Sequence, residues 1–174
     1  MRIPLLLAGF LVLASDSLAA ERPLAPPFTA TEPAAWINSP PLSLAALRGK
    51  VVLLEFWTFG CSNCRNTLPW LKAAAADYAA QGLVVVAVHT PEFAHEREPA
   101  NVTRAVRELG IKYPVMLDPD STYWNRMNNR YWPAFYLVDR QGRIATTAIG
   151  ELHQGEPRAE RFEAELRALL ASQR

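Results

Sequence analysis

The run Val51-Val52-Leu53-Leu54-Glu55-Phe56-Trp57, with Cys61-Ser62-Asn63-Cys64 just beyond it, constrains this chain more than any other stretch. A run with almost no polar position suits a central strand buried on both faces, in a sheet covered by helices. The chain has only these two cysteines, three apart, where the strand gives way to a helix. A helix N-terminus supplies free N–H groups and the positive end of its dipole, which favour a thiolate, the reactive form of cysteine. A permanent structural disulfide is a poor reading, because so short a loop removes little chain entropy. Strand, CxxC and helix together point to reversible thiol–disulfide chemistry.

The first residues read as a secretory signal. Met1-Arg2 is a short positive start, and Ile3 to Leu13 is apolar but too short to span a bilayer as a lone helix. Ser17-Leu18-Ala19 fits a small-x-small cleavage site, so residues 1–19 are the expected signal and Ala20 the expected new N-terminus. No cysteine stands near that site, which argues against lipid modification. The expected location is periplasmic or secreted, where disulfides persist. Removal of the signal leaves about 150 residues, enough for one domain. The formal net charge of +1, without a basic stripe, argues against nucleic acid or anionic lipid as partner. Nothing suggests an obligate dimer, so a monomer is expected.

Residues 20–35, rich in Pro, Ala and Thr, read as a flexible lead-in, with the folded domain over 36–174. Ser43 is placed to cap a short helix, Leu44 to Leu47, ended by Gly49. After the Val51–Trp57 strand, a helix is predicted from Ser62 to Ala80, with Pro69 inside as a kink. Leu83 to His89 reads as a second buried strand. An excursion follows, with a helix begun by Pro99 and closed by Gly110. Tyr113 to Leu117 is a short strand and Ser121 to Met127 a short helix. Ala134 to Val138 and Arg143 to Ile149 form a hairpin, and a last helix spans Glu156 to Ala171. The order predicts an α/β fold: a mixed sheet with helices on both faces.

With these residues in view, the chain resembles the thioredoxin superfamily, and within it the TlpA/DipZ-type extracytoplasmic domains. The resemblance spans Trp36 to Leu170. It rests on Trp36-Ile37-Asn38-Ser39-Pro40-Pro41-Leu42, Glu55-Phe56-Trp57-Thr58, the Cys61–Cys64 motif, Val88-His89-Thr90-Pro91-Glu92-Phe93, Tyr131-Trp132-Pro133-Ala134 and Gly150. It implies a thioredoxin-like fold with a βα-type insertion after the second core strand. Three departures from the thioredoxin pattern stand out: Gly60 replaces the usual tryptophan before the first cysteine, Ser62-Asn63 replaces Gly-Pro, and Glu55 stands where thioredoxin has a buried aspartate.

Cys61 is the expected nucleophile and Cys64 the resolving thiol that displaces substrate from a mixed disulfide. Glu55 is an acid in an apolar strand, which is costly unless it is paired or neutral. The resemblance implies that it exchanges a proton with Cys64 through water. It also implies that Pro133 is a cis-proline beside the disulfide, that Trp132 walls the substrate groove, and that Glu92 is an acid tuning the cysteines. From the residues alone, a trans Pro133 and a solvated Glu92 fit equally well. Trp57 and Phe59 are expected to pack by the motif. The cysteine pair needs no organic cofactor.

The function expected is a thiol–disulfide oxidoreductase, most readily a protein-disulfide reductase, acting on protein thiols or disulfides. The resemblance implies a membrane electron donor, here on a separate protein. Two alternatives use the same fold. A copper-binding module would add His89 or His95 to the cysteines around Cu(I), but the spacing matches no compact metal motif, and His153 has no such place; no metal site is expected. A thiol peroxidase is suggested by Thr58, three residues before Cys61, although CxxC suits disulfide exchange better.

Overall fold

A computed structural model describes residues 22–172. The expected signal (1–19) and the cleavage point at Ala20 lie outside the described residues. The elements are β1 (Trp36–Ile37), β2 (Val51–Trp57), α1 (Ser62–Asp77), β3 (Leu83–His89), α2 (Pro99–Glu108), β4 (Val115–Leu117), α3 (Thr122–Arg126), β5 (Ala134–Val138), β6 (Ile144–Ile149) and α4 (Pro157–Ala171), with 3-10 turns at Pro33–Ala35, Ala79–Gln81 and Ala94–Arg97.

Every residue of β2 is buried, because it lies at the centre of a six-stranded mixed sheet of order β1-β4-β3-β2-β5-β6. β3 runs parallel to β2, and β5 antiparallel to it. Alternation along β2 divides the core. Val51, Leu53 and Trp57 face the side covered by Leu68 and Leu71 of α1, Val102 and Val106 of α2, and Phe162 and Leu166 of α4. Val52, Leu54 and Phe56 face the other side, with Tyr123 and Trp124 of α3. The excursion after β3 is a helix–strand unit, α2 then β4, whose strand pairs parallel with β3.

Residues 22–35 are not a flexible lead-in. Three of the longer helices share one face, so the other must be sealed by something else. Phe28, Trp36 and Leu44 join that second core. Phe28 packs on Trp36 and Tyr123, with ring centroids 5.5 and 5.4 Å away. Leu24 bridges to Arg143, and the Tyr123 hydroxyl donates to the Pro26 carbonyl at 3.1 Å.

The short helix expected at Leu44–Leu47 is a series of turns. Ser43 does cap it, its Oγ accepting from Ala46 N–H at 3.1 Å, but only one i→i+4 bond forms, Leu47 to Ser43, before i→i+3 bonds take over. α1 stops at Asp77 rather than Ala80, and its last residues tighten into the 3-10 turn before Gly82, at φ 98°. Pro69 stays within a single helix on its exposed side, as does Arg65, whose carbonyl it leaves without a helical donor.

Candidate active site

Cys61 is the N-cap of α1, with extended backbone (φ −72°, ψ 113°), and its sulfur accepts the Cys64 N–H at 3.2 Å. Cys61 is half-buried, Cys64 is wholly buried, and both are free thiols. The helical turn therefore presents one sulfur outward and turns the other into the core. Burial pushes the Cys64 thiol far up, with the Cys61 hydrogen bond and the Glu55 charge adding to it. Cys64 thus holds its proton near neutral pH.

Glu55 lies in the middle of β2, between Ala87 of β3 and Phe135 of β5. It is 0% exposed, and neither carboxylate oxygen has a hydrogen-bond partner among the described residues. Burial raises its pKa from 4.5 to about 8. A carboxyl in that range can both take and return a proton near neutral pH.

The Trp132–Pro133 peptide bond is cis. Ala134 pairs with Phe56, so Pro133 reaches the sheet end where β2 runs into the motif. Gly150 N–H donates to the Pro133 carbonyl at 2.8 Å. Trp132 is fixed on two sides. Its indole N–H donates to the Thr90 carbonyl at 3.1 Å, and its ring lies 4.2 Å from that of Trp124. Thr90 N–H in turn donates to the Trp57 carbonyl at 3.0 Å, and its hydroxyl to buried Asp118 at 3.1 Å. Asp118 accepts the N–H groups of Tyr123 and Trp124 at 2.9 Å each, which anchors α3. Buried Asn129 accepts from the Tyr136 hydroxyl and donates to the Tyr131 carbonyl.

Glu92 is not the acid of this site. Its side chain is exposed, and it contributes its backbone N–H to another acid, Glu96. Glu96 is 1% exposed, and no local pattern in the sequence marks it. Its carboxylate accepts from Gly60 N–H at 2.9 Å, Glu92 N–H at 2.7 Å and Phe93 N–H at 2.9 Å. Burial opposes its charge, but hydrogen bonds from the Phe93 backbone, the Thr58 side chain and the Glu92 and Gly60 backbones outweigh that and hold it below the usual carboxylate range. Gly60 explains itself here: a Cβ on it would lie 2.3 Å from Glu96 Oε1. That glycine, where thioredoxin has tryptophan, is the sequence signal of a close approach.

The histidines do not gather at the cysteines. His89 is 2% exposed, its Nε2 lies 3.2 Å from the Thr58 hydroxyl, and burial lowers its pKa to about 4. Its ring packs on Trp57 and Phe59, which thus support the motif from behind. His95 is exposed and stacks on Phe93, while His153 pairs with Glu151 at 2.8 Å. Among the described residues no group of three His, Cys, Asp or Glu could hold a metal ion. The Thr58 hydroxyl lies against His89 Nε2 at 3.2 Å.

The sequence matches the Redoxin family over residues 21–164. The chain belongs to the Redoxin family. It is 44% identical over 119 residues to Protein DipZ of Mycobacterium bovis, covering 67% of this chain but only 17% of that protein. It is 29% identical over 110 residues to thiol-disulfide oxidoreductase YkuV of Bacillus subtilis, covering 63% of this chain and 74% of that one. A thiol-disulfide isomerase from Corynebacterium glutamicum superposes with a TM-score of 0.67 at 26% identity, over 79% of this chain and 91% of that one. The fold of this Redoxin-family member is therefore thioredoxin-like, and its resemblance to DipZ-type domains stands. No helix among the described residues is long and apolar enough to cross a membrane.

Proposed function

We propose that this protein is an extracytoplasmic thiol–disulfide oxidoreductase that reduces protein disulfides. One observation carries the reading: an accessible Cys61 at a helix N-cap, backed one turn inward by a buried Cys64 and an isolated buried carboxyl, Glu55. Cys61, as thiolate, attacks a client disulfide. One client sulfur leaves as thiolate, and a mixed disulfide forms. Glu55 takes the Cys64 proton, and the Cys64 thiolate attacks Cys61 Sγ. The second client sulfur leaves, takes up a proton, and the protein keeps the Cys61–Cys64 disulfide. Two electrons have passed to the client. Pro133 and Trp132 border the groove, and the client backbone pairs alongside the residue before the proline.

The apolar start of the sequence supports export, and outside the cytoplasm a reductase depends on a membrane protein to return the oxidised pair to the dithiol. The reduction potential of Cys61–Cys64, equilibrated against defined thiol buffers and read by alkylation, tests the direction. A value near about −270 mV supports a reductase, whereas one near about −120 mV makes the protein an oxidant and overturns that direction.

A further inference from the structure

Glu55 must pass on the proton it takes from Cys64, and Tyr113, a group the exchange steps do not use, belongs to the core on the same side of the sheet. Tyr113 precedes β4 and is 8% exposed. Its hydroxyl has no hydrogen-bond partner among the described residues, and the same holds for both Glu55 oxygens and the Trp57 indole N–H. These groups belong to one face of the sheet. Glu55 alternates with Phe56 and so points with Leu53 and Trp57, and Trp57, Cys64, Tyr113 and Val115 share one core. Across the sheet Glu55 pairs with Ala87 and Ala87 with Val115, so only a methyl group separates Glu55 from β4 in that row. The Glu55 charge acts on the Tyr113 phenol, which burial raises first.

Leaving such groups buried without partners forfeits their hydrogen bonds to water, and native proteins rarely do so. A buried water with two to four polar partners is the usual solution.

We propose that Glu55, Tyr113 and Trp57 enclose a buried hydration site beneath Cys64, and that Tyr113 is a positioning residue whose hydroxyl donates to ionised Glu55 through that water. The inference rests on the exchange reaction proposed above. A donor to the ionised form makes Glu55 available as a base at lower pH. From α1 this face meets Cys64; β5 offers Phe135 and Leu137, and α4 Phe162 and Leu166. His89, at the end of β3, stands against the Trp57 ring. Tyr113 also lines a surface cavity of about 370 Å³ with Lys72 and Lys112, the charged groups on that side.

The test mixes reduced protein with 5,5′-dithiobis(2-nitrobenzoate) in stopped flow from about pH 6 to 9.5, for wild type, Tyr113→Phe and Glu55→Gln. Attack by Cys61 releases a first thionitrobenzoate, and attack by Cys64 on the mixed disulfide releases a second. Wild type should show a second release that rises with pH around the Glu55 value. Tyr113→Phe should keep the first release and slow the second about tenfold below the midpoint, with the midpoint moved up about one pH unit. Superimposable profiles for Tyr113→Phe and wild type overturn the inference while leaving the exchange reading intact. A wild type that releases only one equivalent overturns the exchange reading, and this inference with it. If Tyr113→Phe does not fold, the infrared carboxyl band of Glu55, assigned against Glu55→Gln, decides. A hydrogen-bonded frequency supports the site, and a free-carboxyl frequency overturns it.

Discussion

Gly60 and Glu96 show how single residues set this site. The glycine lets the Glu96 carboxylate reach a backbone N–H immediately before Cys61. The same carboxylate ties down Glu92 and Phe93, so one side chain holds two loops together. Gly60→Ala forces the carboxylate off, and Glu96→Gln replaces an acceptor oxygen with a donor. Each should destabilise the fold by about 1–3 kcal/mol, and the double variant should cost little more than either alone. Urea unfolding of the full cycle checks this, and additive losses would mean the two act separately. Cys61 and Cys64 were legible because their relation is local, one turn of one helix. Glu96 was not, because its partner Gly60 lies 36 residues away in sequence. The resemblance pointed to Glu92 as the acid of the loop after β3, but the turn there exposes Glu92 and buries Glu96 instead.

Elements buried on both faces could be read almost to the residue. β2, β3 and β5 each have the bounds that their apolar runs predict, since those strands can exist only at the middle of a covered sheet. The weakest readings fell where the local signal was short. Leu44–Leu47 has a cap and a glycine stop but too few residues to repay helix nucleation, so it stays a set of turns. Residues 22–35 have a linker's composition, yet Phe28 is buried against Trp36 and Tyr123. Phe28→Ala should therefore lower stability by about 3 kcal/mol in denaturant unfolding, as for a core aromatic. A loss below about 0.5 kcal/mol would show that the segment does not cover the sheet in solution.

Among the buried ionisable groups of the described residues, Glu55 and His89 have pH effects that oppose each other. The Glu55 pKa is raised from 4.5 to about 8, so its contribution is fully present below pH 4.5 and is lost as pH rises through 8. That of His89 is lowered from 6.5 to about 4, so its contribution is present above pH 6.5 and lost as pH falls through 4. Between pH 4.5 and 6.5 the two slopes offset one another. From pH 6.5 to 8 Glu55 acts without His89, and stability should fall by on the order of 2 kcal/mol. Unfolding of wild type and Glu55→Gln across that window isolates the group: the variant should lose the slope, and an equal slope in both would mean Glu55 is not held protonated. The sequence by itself determined where the cysteine pair lies, the central strands and the α/β class, because spacing and apolar runs act over neighbouring residues. Only the tertiary structure decided which acid meets Gly60, what seals the second face, and which buried groups surround Glu55. Those pairings join segments far apart in the chain, and no local pattern records them.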